Sequence, residues 1–273
     1  MTNSFTNQKS SHALIVADLF SAFKNLSVVH HMVKNDIRLR YRKSVIGPFW
    51  ITLSLIFMVA GLTLMFGVIL KRDLYDYLSY ILVGIIFWSY LSTSLIESCG
   101  AFASEKELLN HTKLPYAIYI FRVFYRNIIY LIHHILILMI AYLFFFNAHL
   151  NFTLVSVLYF VLSLLIVLNL QALIAVFSLR YYDTQPIVQN ALQLLFFLSP
   201  VIWHVEDISD HQLILLLEQF NPFFHIVLSF RGLIDARYLD STSLALLMLL
   251  LFSLMVTNYF VFKKTYKKIT LWI

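Results

Sequence analysis

The chain has 273 residues, 60% of them hydrophobic and 12% charged, with a mean hydropathy of +0.80 and a formal net charge of +6. So little polar material cannot cover a water-soluble globule of this size, which excludes a soluble enzyme and leaves a polytopic membrane protein. A single cysteine, Cys99, excludes an internal disulfide and any cysteine-based metal cluster.

The first twelve residues are mostly polar, and the apolar run that follows (13–20) is short and broken by Asp18. A cytosolic tail is expected there rather than a cleaved signal peptide. Between Lys34 and Trp50 a basic amphipathic segment runs into an apolar one. Lys34, Arg38 and Arg42 recur every four residues, which on a helix stacks three cations on one face, while Arg40 and Lys43 add charge on other faces. Leu19, Phe23, Leu26, Val33 and Ile37 form an apolar stripe beside that row, the pattern of a helix lying in the bilayer interface. Gly47-Pro48 is expected to end it, with Pro48 starting the next helix at no hydrogen-bond cost. Two roles are open for the five cations: a topology signal alone, or in addition a receptor for an anionic head group such as a lipid carrier's pyrophosphate.

The apolar runs give six spans: Val45–Leu70, Tyr80–Cys99, Leu114–Phe146, Phe152–Leu179, Ile187–Val205 and Leu244–Phe262. Each is close to or above the roughly 20 residues that cross a bilayer as helix. Arg122 and Arg126 sit in the first third of the third run, so they are expected at the inner interface, with the part after Ile128 in lipid. Asn147 to Asn151 reads as an uncharged turn, and Pro200 predicts a break near the far end of the fifth run. The interval from Glu206 to Asp240 is apolar enough to be mistaken for a span, but Asn221-Pro222 cuts it into two pieces too short to cross. It is expected as two short helices that enter the outer leaflet and return.

With both termini inside, sixteen of the twenty Lys and Arg fall on the inner side, leaving Lys71, Arg72, Arg231 and Arg237 outside, and eight of the fourteen acids lie outside. That agrees with the positive-inside rule, and so does the tail carrying Lys263, Lys264, Lys267 and Lys268. The expected organisation is a single transmembrane domain over 1–273: a tail and interfacial helix (1–43), six spans (44–262) and a second cytoplasmic tail (263–273).

Chemistry-bearing motifs are few. No glycine-rich loop ends in Lys-Ser or Lys-Thr, so this chain does not hydrolyse ATP by that route. His133 and His134 are adjacent, which on a helix turns them about 100° apart and unfits them as a metal pair, and His204, His211 and His225 match no zinc spacing. No metal site is expected. Aromatic residues make up 16% of the chain, and Phe57, Phe66, Phe87, Trp88, Tyr90 and Trp203 lie within spans or at their ends. They serve either as interface belts and packing or as a lined path for sugar rings. The polar interval 104–113 carries Glu105, Lys106 and Glu107 ahead of Leu108 and Leu109, a short helix with one apolar edge suited to docking on a soluble partner.

The run RLRYRKSVIGPFW, the interval SEKELLNHTKLP, the six spans, the split segment after the fifth and the lysine-rich tail together resemble the permease subunit of type-2 ATP-binding-cassette polysaccharide exporters. The clearest local signature is met by Arg40, Gly47, Pro48 and Trp50. The resemblance implies an all-helical integral membrane permease in the bacterial inner membrane. It implies a homodimer around a central conduit, paired with two copies of a separate ATPase subunit that holds the ATP and magnesium. It implies export of an undecaprenyl-pyrophosphate-linked polysaccharide, O-antigen first, with no enzymatic activity, no cofactor in this chain and no nucleic acid. Matched by position, it puts the basic interfacial helix and candidate lipid-pyrophosphate contacts on Lys34, Arg38, Arg40, Arg42 and Lys43, and ATPase coupling on Glu105, Lys106, Glu107 and His111. It puts outer gate helices on Glu206 to Asp240. Capsule, teichoic acid or a small lipid or drug remain alternative cargoes. A membrane glycosyltransferase or polymerase is the alternative of another class.

Overall fold

The computed structural model describes residues 11–47, 49–69, 73–112, 114–143, 153–208 and 211–272. The expected N-terminal tail, Pro48, the cations Lys71 and Arg72, and the turn at Asn147 to Asn151 lie outside them. Among the described residues every regular element is helical: α1 (Ser11–Lys24), α2 (Leu26–Arg40), α3 (Phe49–Ile69), α4 (Leu74–Ser98), α5 (Lys106–His111), α6 (Tyr116–Ala141), α7 (Leu154–Arg180), α8 (Thr184–Leu198), α9 (His211–Phe220), α10 (Pro222–Arg231), α11 (Ser241–Thr265) and α12 (Ile269–Trp272).

Five of these helices, α3, α4, α6, α7 and α11, are long and apolar enough to cross a membrane. The fifth expected run is shorter than its apolar stretch implied. Instead of reaching Val205, α8 stops at Leu198, because Pro200 cannot continue the amide ladder, and fifteen residues of helix extend only about 22 Å. The second run begins earlier than Tyr80: Asp73 caps α4 by accepting from the Tyr75 and Asp76 amides, which draws the first turn back to Leu74. Thr153 and Ser156 form a reciprocal capping box at the start of α7. The interval divided by Asn221-Pro222 is two helices, as the sequence predicts. Asn221 caps α10 through the Phe223 amide and donates to Leu198 O and Ser199 Oγ, pinning the junction to the end of α8.

The N-terminal surface segment also differs from expectation. It breaks at Asn25 and ends at Arg40, so Arg42 lies in the following turn and the stack of cations stops at Arg38. The stripe that packs inward is Ala22, Val29 and Val33 against Ala117 and Ile118 of α6. Leu19, Phe23 and Leu26 of the expected stripe are exposed, with Val16 and Phe20 beside them. An apolar row turned away from the protein on a surface helix is what an interfacial helix presents to lipid.

The large apolar cluster centres on α4, which packs against α3, α6 and α7 and is the most enclosed of the five long helices. Polar side chains fasten the layers where hydrophobicity cannot discriminate protein from lipid. Gln171 of α7 donates to Ser94 O of α4, Ser163 of α7 meets Ser229 of α10 at 2.5 Å, and Asn258 of α11 donates to Asn169 of α7.

Candidate functional site

Two charge systems occupy opposite ends of α4. At its C-terminal end, Glu97 faces α6, where Arg122 and Arg126 are one turn apart and share a face. Arg126 Nη2 donates to Glu97 at 2.8 Å and Nη1 to Asp36 of α2 at 2.7 Å. Arg122 bridges Asp36 at 2.5 Å and Glu105 at 2.7 Å, and Arg40 donates to Glu97 at 2.7 Å. Asn127 adds a bond to Glu97 Oε2, and Tyr130 Oη accepts from Arg40. Three guanidiniums thus oppose three carboxylates, and the network joins the interfacial helix α2, the short 3-10 turn before α5 (Ala103–Glu105), α4 and α6. It surrounds a cleft of about 380 Å³ open to the surface and walled also by Leu39, Tyr119 and Val123. Burial alone would raise the Asp36 carboxyl, but hydrogen bonds and charge from Arg122 and then Arg126 outweigh it and hold it below the usual carboxylate range.

The same end is tied a second time. Asp18 of α1 accepts from the Tyr116 and Ala117 amides at 2.9 Å each, so a carboxylate from another helix caps α6 where Pro115 supplies no side-chain cap. Tyr266, beyond α11, also donates to Asp18 at 2.8 Å.

At the opposite end of α4, Arg231 of α10 is 2% exposed and has no carboxylate within ion-pair distance among the described residues. Its guanidinium lies 3.4 Å over the Tyr80 ring and donates to Tyr80 O, Pro200 O and Val201 O. The break after α8 frees the Pro200 and Val201 carbonyls, and the fork of Arg231 collects them together with Tyr80 O. Tyr77 and Tyr80 hydroxyls hold the Ile202 and Trp203 carbonyls at 2.7 Å, and His204 stacks on the other face of Tyr80 at 3.5 Å. Gly84 makes this possible: a Cβ there would overlap Val201 O and Arg231 Nη2. The adjoining cavity of about 390 Å³ is lined by tyrosines 80, 142 and 238 together with Asp76, Glu206 and Asp235.

The expected site residues separate into groups. Among the five interfacial cations, Arg40 is engaged by Glu97 and Tyr130, whereas Lys34, Arg38, Arg42 and Lys43 are exposed with no ion-pair partner among the described residues. In the coupling segment Glu105 turns inward to Arg122. Of the apolar pair expected as a docking edge, Leu109 is 7% exposed in a cluster with Phe102, Tyr119 and Leu179, and the half-buried Leu108 packs on that cluster. Lys106, Glu107 and His111 are the coupling residues left exposed. The six aromatics are not brought together. Phe87 stacks on Phe230 at 4.5 Å and Tyr90 meets Phe230 inside the core, Trp88 meets the half-buried Phe196, Phe57 is exposed on α3, and Phe66 and Trp203 are half-buried.

The sequence reading passed over Asp36, Glu97 and the depth of Arg231. A signal existed for the first two: paired arginines in the first third of an apolar run require carboxylates, and Asp36 and Glu97 are among the few acids predicted for that side. For Arg231, counted as an outer surface charge, the sequence holds no partner to find, because its partners are backbone carbonyls.

Long apolar helices, a broken helical pair and a charge network binding a surface helix to the ends of the spans define a multi-pass membrane domain. The chain belongs to the ABC-2 type transporter family, whose model matches residues 27–234, and it is the membrane subunit of such a transporter. It is similar to the O-antigen export system permease protein RfbA of Myxococcus xanthus, 25% identical over 205 residues that cover 74% of this chain and 78% of that protein.

Proposed function

We propose that the chain is the permease of an ATP-driven exporter that moves an undecaprenyl-pyrophosphate-linked polysaccharide, O-antigen first, across the bacterial inner membrane. It works as a homodimer with two copies of a separate ATPase subunit, which binds the ATP and magnesium. The observation that carries the mechanism is the network at the C-terminal end of α4. Arg122 holds the turn before α5 through Glu105 and the interfacial helix through Asp36, so a push on the exposed Lys106, Glu107 and His111 reaches α2, α4 and α6 together. A substrate of this class supports the placement of Lys34, Arg38, Arg42 and Lys43 around its pyrophosphate, and the likeness to the O-antigen permease supports the cargo.

In this reading α8 is a sixth crossing. Its start follows α7 closely, and the residues after its end bond to Tyr77 and Tyr80 at the far end of α4. The pair α9 and α10 then stays on the outer side, packed on protein, and both termini are cytoplasmic. The test is export itself. Inverted vesicles containing the permease and its ATPase should take up lipid-linked O-polysaccharide when given ATP, and Lys106→Glu together with Glu107→Lys should reduce uptake at least about tenfold through weakened partner docking. Uptake of a small lipid or drug with no uptake of polymer would reassign the cargo.

A further inference from the structure

The lysine-rich end of the chain does more than repeat a topology signal. The end of α7, the end of α11 and α12 enclose a pocket of about 460 Å³ lined by Arg180, Lys264 and Lys268 with Tyr181, Trp272 and Phe177, and among the described residues no carboxylate lines it. Arg180 comes from α7, Lys264 from the last turn of α11, and Lys268 from the short turn that follows. Three elements therefore converge three cations on one space. The rings of Tyr181 and Trp272 hold the Arg180 guanidinium at 5.3 and 5.1 Å, and its Nε donates to Tyr181 Oη at 2.9 Å. That geometry leaves its remaining donors for a ligand.

The apolar side of the pocket identifies the ligand further. Val176 and Val261 form its wall, and the exposed residues Phe252, Val256 and Phe260 lead to Lys264 at steps of four along α11. A phosphate among the cations and a hydrocarbon chain along that row describe one amphiphile. We propose that this pocket binds an anionic phospholipid by its phosphate head group, at the membrane surface and apart from the α2 cations assigned to substrate. A zwitterionic head group would bring its own ammonium against three cations, so net negative charge decides the preference. The inference stands on the pocket alone and does not need the exported cargo to be known.

The full-length permease, delipidated in a neutral detergent, tests it. Native mass spectrometry with dioleoyl-phosphatidylglycerol should retain a bound lipid that dioleoyl-phosphatidylcholine with the same chains does not replace. Arg180→Gln with Lys264→Gln and Lys268→Gln should weaken that retention by at least about tenfold, since each cation near anionic lipid adds a comparable increment. Removing Lys263 and Lys267, which do not line the pocket, should leave it unchanged. Equal retention of both lipids, or equal loss from the two variants, would overturn the proposal. So would protection by millimolar inorganic phosphate alone, which would make the ligand a soluble anion. Displacement of phosphatidylglycerol by a polyprenyl pyrophosphate in the wild type but not in the triple variant would give the pocket to the substrate instead. Loss of the ATPase from the triple variant, with lipid preference intact, would make it a protein contact.

Discussion

The two ends of α4 bury arginine in opposite ways. At the C-terminal end, Arg122 and Arg126 are each 15% exposed and meet Asp36, Glu97 and Glu105, so charge is cancelled by charge and the cleft beside them opens to water. Near the N-terminal end, Arg231 is sealed and its positive charge is met by carbonyl dipoles and a tyrosine face. The first arrangement can exchange partners and re-form at modest cost, because water and other ions stand ready to replace a lost bond. The second re-forms less readily, because at Pro200 O only the Tyr80 hydroxyl at 3.3 Å stands beside Arg231 as a donor. In the proposed export cycle the first suits a hinge that relays force, and the second a fixed point against which it works.

The largest effect should therefore come from Arg231. Arg231→Leu fills similar volume but removes the donor that Val201 O shares with Pro200 O and Tyr80 O, of which Pro200 O keeps only the Tyr80 hydroxyl and Tyr80 O its place in α4, and the loss should reach about 3–5 kcal/mol, enough to remove most folded protein from detergent extracts. Arg231→Lys keeps the charge and loses the fork, so it should recover part of the stability and not all of it. Thermal unfolding of the purified variants measures both. A leucine variant as stable as the wild type would show that the break after α8 does not depend on this clamp.

The charge network should respond less, and with pH. Asp36→Asn leaves Arg122 and Arg126 their other carboxylates and should cost about 1–2 kcal/mol. Because the Asp36 carboxyl is held below its usual range in the fold, its contribution is complete above the unfolded value of about 4 and is lost as pH falls through the folded value. Unfolding midpoints should thus drop in the wild type below about pH 4, and the Asp36→Asn variant should lose part of that drop. The deficit of Arg231→Lys, with no carboxylate in its contact shell, should change little over the same range. An acid limb of equal depth in the wild type and in Asp36→Asn would remove Asp36 as its source.

These contrasts also mark what the sequence could reveal. Apolar run length located the five long helices, and Asn221-Pro222 located the split pair, because span length and a missing amide are local facts. The end of α8 was misplaced because hydrophobicity continues through Pro200 to Val205 while the hydrogen-bond ladder does not. The candidate site was legible only as charge. Periodicity gave the cations of α2, but which of them would be consumed by ion pairs depends on Asp36 and Glu97 arriving from elsewhere, and tertiary contact of that kind leaves no local pattern. Leu109 shows the same limit: one apolar pair beside three charged residues looks like a docking edge whether it faces a partner or its own core.

The smallest expected effect on stability is the most informative for function. Arg38 and Arg42 are exposed and without an ion-pair partner among the described residues, so Arg38→Lys and Arg42→Lys should leave unfolding within about 0.5 kcal/mol of the wild type, as surface substitutions do. Charge and hence topology are preserved as well. If the two arginines only hold the N-terminus inside, export is also unchanged. If they receive the carrier's pyrophosphate, the planar fork matters, and a lost charge-assisted contact should lower apparent substrate affinity about tenfold or more. Arg40 supplies the internal comparison, since its bonds to Glu97 and Tyr130 already occupy the fork. Arg40→Lys should therefore lower stability slightly with a smaller loss of export, the reverse of the pattern at Arg38. Polymer export measured in cells at matched permease abundance, with ATPase activity of the complex as a control, separates these outcomes. Wild-type export from both Arg38→Lys and Arg42→Lys would leave the exposed cations with topology alone.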